Sequence, residues 1–222
     1  MKYGAWIICA FILPSAALAG PTTAERKSQF EKALAVIIST ATPQVSASVR
    51  ERIIKDYVDA KPHKGLTVQL ADGQYFRHPI NEDQTVAGDR ALESCQLRFA
   101  KPCTLIAVND EIISEGELMS QDMPRLKYAG KYDVSQIPII RMATRKRPDV
   151  QNYDKAMEPK AMAIHPWGRL FIAAGNASAK EAQETALAKC NNDQDRNGRD
   201  GRCFVYAVNN DVVLSERRME AK

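Results

Sequence analysis

Four cysteines are the residues whose type and spacing point most directly to chemistry: Cys95, Cys103, Cys190 and Cys203. Seven residues separate the first two, and twelve separate the last two. Zinc sites usually use cysteine pairs that are two to four residues apart, so these spacings favour disulfides over a metal site. Two disulfides are expected if the chain folds in an oxidising compartment.

A polar loop between the last two cysteines has the pattern of a calcium-binding loop. Acidic and amide side chains alternate and are followed by glycine, as in the first half of an EF-hand. The match ends at the twelfth position, where Phe204 stands in place of the bidentate glutamate. The alternatives are a calcium site and a solvated loop, and we expect no other cofactor. The candidate calcium ligands are Asp193, Asp195, Asn197 and Asp200.

A basic segment lies between the two cysteine pairs. Its candidate binding residues are Arg125, Lys127, Lys131, Arg141, Arg145, Lys146 and Arg147. Such a surface can hold a polyanion, for example a lipid headgroup, a phosphate polymer or an acidic protein face. The alternative is a solvated charged face. Nucleic acid is not expected as a partner, because aromatic residues that could stack on bases make up only 7% of the chain.

Catalytic motifs are absent from the sequence. It contains no His-Glu-x-x-His, Gly-x-Ser-x-Gly, Walker or Gly-x-Gly-x-x-Gly pattern. A hydrolase that uses His78 or His165 with nearby acids between the two halves of the chain is the alternative to a non-catalytic protein. We therefore favour a chain that is not an enzyme.

The amino terminus predicts export. Lys2 precedes an apolar run from Ala5 to Leu13, and the small residues Ala17 and Ala19 form a cleavage signature. The run is too short to span a membrane, for which about 20 apolar residues are needed. We expect a signal peptide over residues 1–19, cleavage after Ala19, and a mature protein in the periplasm or secreted, without a transmembrane segment.

The elements that position these residues are predicted by an internal duplication. A shift of 95 residues places Cys95 on Cys190, and a shift of 100 places Asn109 on Asn209. Alternating apolar residues, a turn, an alanine-rich helix and two further β-rich runs recur in both copies, which predicts two ββαββ units. Only the pairing Cys95–Cys103 with Cys190–Cys203 joins the same helix end to the same strand start in each copy.

The predicted organisation is an α+β protein with an N-terminal helical hairpin and two tandem ββαββ units, each with an internal disulfide. Thr22 and Glu25 form a capping box for the first helix, and Pro43 separates it from the second. The predicted boundaries are 1–19 for the signal peptide, 20–62 for the hairpin, 63–115 for the first unit, 116–159 for an irregular basic connector, and 160–222 for the second unit.

The motif of an alanine-rich helix that ends in cysteine, followed by Cys-x-x-x-Ala-Val-Asn, resembles exported bacterial proteins of unknown function. Residues 175–190 carry the resemblance most clearly. The resemblance implies a bacterial exported setting and transfers no catalytic residues. Together with the basic connector it predicts a non-catalytic binding or envelope-accessory protein that recognises a protein or a polyanionic envelope component. The alternative stays an envelope-polymer hydrolase with a site between the two repeats.

Overall fold

The computed structural model describes residues 22–78, 82–83, 85–113, 126, 129–196 and 201–215. The predicted signal peptide and its cleavage site lie outside the described residues. The α-helices are α1 (Thr23–Ala41), α2 (Ala47–Val58), α3 (Ala87–Phe99), α4 (Met142–Arg145), α5 (Pro148–Gln151) and α6 (Ala179–Asn191). The strands are β1 (Gly65–Gln69), β2 (Gln74–His78), β3 (Thr104–Val108), β4 (Glu111–Ile112), β5 (Gly130–Lys131), β6 (Ala161–Ile164), β7 (Leu170–Ala173), β8 (Phe204–Val208) and β9 (Asp211–Val212).

The strands form two antiparallel sheets, in the orders β2-β1-β3-β4 (the first sheet) and β5-β9-β8-β6-β7 (the second sheet). Helix α3 packs on the first sheet and α6 on the second. The pairing of β1 with β3 shifts register between Leu66 and Thr67, and that of β6 with β8 shifts between Met162 and Ala163. Helices combined with antiparallel sheets confirm the predicted α+β class.

Helices α1 and α2 pack against each other and against one face of the first sheet. The Thr22 hydroxyl accepts a hydrogen bond from the Glu25 amide, and the Glu25 carboxylate accepts one from the Thr22 amide, so the predicted capping box is present. Leu34 is fully buried against β1 residues such as Leu66. Burying a leucine side chain stabilises the fold by about 1.5–3 kcal/mol.

The second sheet is covered on both faces by side chains of different size. On one face Ala161 and Ala163 contact the small residues Ala182 and Ala186 of α6. These small side chains allow the helix to lie close to the sheet. On the other face larger side chains of the second sheet, Met162, Ile164 and Tyr206, pack against Ile140 and Tyr153. The last two belong to the connecting segment between the two sheets, whose described residues are 126 and 129–159.

Each sheet is joined to its helix by a disulfide. Cys95–Cys103 and Cys190–Cys203 both connect the end of a helix to the start of the next strand, as the sequence predicts. Their Cα atoms are 6.2 and 6.0 Å apart. In the chain-entropy model each short loop contributes about 3 kcal/mol to the free energy of unfolding.

Among the residues described, no helix combines the length and the apolar character that crossing a membrane requires.

Lys64 is a buried cation at the entrance of β1, with 3% of its side chain exposed. Its Nζ donates hydrogen bonds to carbonyls near the end of α2, at 2.8 Å from Tyr57 O, 3.3 Å from Val58 O and 3.2 Å from Ala60 O. Nζ also lies 3.2 Å from a carboxylate oxygen of Asp110. Burying an ammonium group is costly unless oxygen atoms surround it, so Lys64 ties α2 to the sheet.

Lys160 occupies the corresponding place before β6, with 1% of its side chain exposed. Its Nζ lies 2.8 Å from Asp154 O and 3.0 Å from Ala156 O. It also lies 5.2 Å from the centre of the Tyr153 ring, as Lys64 lies 4.7 Å from a tyrosine ring of α2. A buried lysine therefore joins each sheet to the segment that precedes it.

An asparagine completes each of these joints. Asn109 and Asn209 follow β3 and β8 with φ of 50° and 48°, in the left-handed region that asparagine tolerates. Their amides donate to Lys64 O at 2.9 Å and to Lys160 O at 2.8 Å. Their side-chain Oδ1 atoms accept from the amides of the same lysines, at 3.2 and 3.1 Å. The recurring Ala-Val-Asn motif thus ends in a residue that closes the sheet onto its lysine.

Sequence reasoning missed these two lysines. A shift of 96 residues places Tyr57 on Tyr153 and Lys64 on Lys160, which is the signal that could have found them.

We expect Asn209→Ala to lower the free energy of unfolding by about 2 kcal/mol for two reasons. The variant loses the side-chain hydrogen bond, and alanine adopts a positive φ less readily than asparagine. Asn209→Gly should lower it by about 1 kcal/mol, because glycine adopts positive φ without strain. Urea unfolding of both variants measures the difference. The corresponding Asn109 variants should show the same order, and equal losses for alanine and glycine would contradict this account.

Candidate functional site

The segment that connects the two sheets is held by acidic side chains of the first half of the chain. Glu93 of α3 accepts a hydrogen bond from the Ile139 amide at 2.7 Å. Glu82 accepts one from the Met142 amide at 2.5 Å and pairs with Arg90 at 3.0 Å. These contacts fix the position of the segment, which carries most of the predicted basic residues.

Ile139 adopts an uncommon backbone conformation at this point. Its φ is 69°, and the Ile140 amide donates to Pro138 O at 2.7 Å, two residues away. These are features of the rare classic γ-turn, which is strained for a β-branched residue. Gly168 lies next to this turn, and a Cβ atom on Gly168 would lie 3.1 Å from Ile139 O. The turn thus lies between the Glu93 contact on one side and the close approach of Gly168 on the other.

Where α3 contacts the connecting segment, burial shifts the pKa values of two charged groups, Glu93 and Arg145. Burial raises the pKa of Glu93, although the Ile139 amide, Arg90 and Arg145 act in the opposite direction. Burial also lowers the pKa of Arg145, against the effect of Glu93. The Arg145 guanidinium donates to the carbonyls of Val134 and Ile137. Arg145, a predicted binding residue, thus holds the connecting segment together.

The other predicted basic residues lie in different surroundings. Arg125 and Lys127 lie outside the described residues. Lys131 forms an exposed ion pair with a carboxylate of β9 at 2.7 Å. Arg141 and Lys146 are exposed on the segment around α4. The proposed polyanion-binding surface stays a prediction, and Arg147 is the member that lines a groove.

This groove, which we call the arginine groove, has a volume of about 140 Å³. It lies where the turn between β6 and β7 meets the connecting segment. Two arginines, a threonine, a glycine and two apolar residues line it. They are Thr144, Arg147, Gly168, Arg169, Leu170 and Phe171.

Both arginines of the groove are held by carboxylates. Arg147 donates from Nε and Nη2 to Asp149, at 3.0 and 2.5 Å, and from Nη1 to Leu170 O at 3.1 Å. Arg169 donates from Nε and Nη2 to Asp193, at 2.7 and 3.0 Å. Its Nη2 also lies 3.2 Å from Asp195. Paired contacts of this kind fix the plane of each guanidinium.

Two of the lining residues carry a donor that makes no hydrogen bond within the part of the chain that the structure describes, Arg169 at Nη1 and Thr144 at Oγ1. The Phe171 ring lies 5.9 Å from the Arg169 guanidinium and packs with residues of α6, whereas Leu170 is buried on the opposite face of β7. Sequence reasoning missed Thr144 and Arg169, because no local pattern distinguishes them.

Two of the four predicted calcium ligands bind an arginine, and the other two lie outside the described residues. Asp193, with 8% of its side chain exposed, and Asp195, with 79% exposed, bind Arg169. Asn197 and Asp200 lie outside the described residues. The described residues contain no group of three or more His, Cys, Asp or Glu side chains placed to hold a metal ion. The calcium site stays a prediction, in which the metal would compete with a guanidinium.

The two histidines of the hydrolase alternative lie near Trp167. His165 is buried, with Nε2 at 3.2 Å from Gly201 O, and its Nδ1 accepts from the Trp167 amide at 3.2 Å. Because Nδ1 accepts, the proton of the neutral ring lies on Nε2. The His78 ring stacks on Trp167 with centroids 6.3 Å apart. The hydrolase alternative stays a prediction, and these contacts are those of packed side chains.

Comparisons with models of known protein families, with characterised proteins and with solved structures find no match for this chain.

We expect Glu93→Gln to change how stability depends on pH. Burial raises the pKa of Glu93 in the folded protein, so the folded chain retains the proton at pH values where the unfolded chain has lost it. The free energy of unfolding of the wild type should therefore fall, relative to that of Glu93→Gln, as pH rises through this interval. Glutamine keeps an acceptor for the Ile139 amide. Urea unfolding of both proteins from about pH 4 to 8 measures the effect, and a pH-independent difference would contradict it.

Proposed function

We propose that this chain is an exported, non-catalytic binding protein of the bacterial envelope, and that the arginine groove holds an oxygen-rich group of its partner. The observation that carries the proposal is the convergence of Arg147, Arg169 and Thr144 on one groove from separate parts of the fold. Guanidinium groups that are already held by carboxylates lose little conformational entropy when a ligand binds. A site with donors whose orientation is already fixed suits recognition.

The charges around the groove favour a protein partner over a highly charged polymer. Three carboxylates, of Asp149, Asp193 and Asp195, pair with the two guanidiniums of Arg147 and Arg169. The local charge therefore does not attract a polyanion, and a ligand gains mainly by filling the free hydrogen bonds. A protein or peptide of the envelope is the partner that this balance favours, and a polyanionic component is the alternative.

The proposal also includes export of the chain and an internal duplication. A signal peptide over residues 1–19, cleavage after Ala19 and a periplasmic or secreted location agree with two disulfides, which persist in oxidising compartments. Duplication of one ββαββ unit, preceded by a helical hairpin in the first half, accounts for the matching contacts of Lys64 and Lys160 with helix-end carbonyls. We therefore infer a common origin for the two halves.

The proposal is tested by immobilising the purified, oxidised chain and measuring the retention of two bacterial envelope fractions, one of peptides and one of anionic polymers. Arg147→Ala should reduce retention of the peptide fraction about tenfold, the loss expected for a charge-assisted hydrogen bond. Arg147 is the better target, because its partner Asp149 is half exposed, whereas removing Arg169 would leave the buried Asp193 without a counter-charge.

Lys180→Ala is the matched control, because Lys180 is exposed on α6 and pairs only weakly with Glu184 at 3.9 Å. It should retain peptides like the wild type, and thermal melts should show that all variants are folded. Retention of the polymer fraction in place of the peptides, with loss in Arg147→Ala, would select the polyanionic partner. Equal retention by Arg147→Ala and the wild type would overturn the role of the groove.

A further inference from the structure

Strand β7 (Leu170–Ala173) is the last strand of the second sheet and pairs with β6. Across the turn that precedes it, the His165 amide donates to Arg169 O at 2.9 Å, so the backbone of Arg169 faces β6. Backbone groups of an antiparallel strand point alternately toward and away from its neighbour. The N–H and C=O groups of Leu170 and Ile172 therefore point away from the sheet, along what we call the β7 edge.

The sequence of the β7 edge favours pairing with another strand. Residues 170–174 are Leu-Phe-Ile-Ala-Ala, without a charge or a proline. Apolar segments with high β propensity are those through which exposed strands associate. Phe171 and Ile172 are each partly exposed. If two β7 strands paired antiparallel about a twofold axis at Ile172, the two copies of this residue would exchange both N–H···O bonds.

Two cationic side chains occupy the outward carbonyls of the β7 edge. Arg147 Nη1 donates to Leu170 O at 3.1 Å, and Lys189 Nζ donates to Ile172 O at 3.1 Å. Arg147 belongs to the connecting segment, which packs on one face of the second sheet, and Lys189 belongs to α6, which packs on the other. A strand that adds to β7 must displace both hydrogen bonds and approach two positive charges.

The other edges of the two sheets are protected by different means. β4 (Glu111–Ile112) and β5 (Gly130–Lys131) are only two residues long. β2 carries a charge of its own, because the shift of 95 residues places Arg77 on Ile172. Short strands and charged side chains are the usual protection of a sheet edge. Among the strands that the structure describes, β7 is the edge strand that is longer than two residues and uncharged, and its carbonyls are occupied from outside the strand.

We infer that Arg147 and Lys189 keep β7 from pairing with the β7 strand of a second copy of the chain, and that β7 becomes a dimer interface when both hydrogen bonds are lost. A second copy is the occupant that this edge specifies, because the strand is uncharged and complements itself about a twofold axis. The inference does not depend on what the arginine groove binds.

The test compares the oxidised full chain with the double variant Arg147→Ala/Lys189→Met by sedimentation at concentrations up to about 1 mM. Methionine keeps an unbranched side chain of similar length and removes the donor. The double variant should form a dimer that the wild type does not form, and each single variant should dimerise more weakly. Lys146→Ala/Lys180→Ala, which removes the same number of positive charges from exposed positions, should behave like the wild type.

Amide hydrogen exchange locates the contact. In the wild type the Ile172 amide should exchange at least about tenfold faster than that of Phe171, whose backbone faces β6. In the double variant, protection of the Ile172 amide should rise with chain concentration while that of Phe171 stays unchanged. The additional change Ile172→Arg, which copies the residue of β2 at this position, should return the double variant to the monomer.

Three results would each overturn the inference: a folded double variant that stays monomeric at about 1 mM, a dimer that Ile172→Arg leaves intact, or an Ile172 amide already protected in the wild type. If thermal melts show the double variant unfolded, the rise in Ile172 protection is measured in Lys189→Met alone, and its absence overturns the inference. Lys189→Met leaves the arginine groove unchanged, so its retention of envelope peptides should equal that of the wild type, and the two proposals are decided separately.

Discussion

A buried ammonium group must be surrounded by oxygen atoms, and this requirement organises both halves of the protein. Lys64 and Lys160 each bring their Nζ to the carbonyls of the segment that precedes the sheet. The backbone of each lysine is in turn paired with an asparagine at positive φ that follows β3 in the first sheet and β8 in the second. One side chain thus fixes the preceding segment, the first strand and a distant turn together.

The position of the arginine groove follows from how the two halves meet. Helix α3 packs on the first sheet, yet Glu93 holds the Ile139 amide and Leu97 enters the core of the second sheet. The strained turn at Ile139 lies over Gly168, in the turn between β6 and β7. Strained backbone persists only where its surroundings impose it, and it concentrates at functional sites. Here it places the connecting segment beside Arg169.

The two arginines of the groove are each positioned by a carboxylate. Asp193 is almost buried and accepts hydrogen bonds from Nε and Nη2, which together form one edge of the Arg169 guanidinium. The loop that carries Asp193 is closed by the Cys190–Cys203 disulfide. The disulfide therefore restrains the loop that carries the carboxylate, and the carboxylate in turn orients the Arg169 guanidinium.

The sequence by itself determined the features that depend on neighbours a few residues apart or on the similarity between the two halves of the chain. The helix start at Thr22 and Glu25 and the pairing of the four cysteines are of this kind. The start of α6 is a further local feature: the Ser178 hydroxyl accepts from the Glu181 amide, and the Glu181 carboxylate accepts from the Ala177 amide.

Only the tertiary structure decided which charged residues face inward. Arg141, Arg145 and Arg147 look alike in the sequence, but Arg145 supports the backbone of the connecting segment and Arg147 enters a groove with Arg169. The contact of Glu93 with Ile139 spans 46 residues, and that of Arg169 with Asp193 spans 24. Such contacts depend on how helices and sheets pack, and no local periodicity encodes the partner of a long polar side chain.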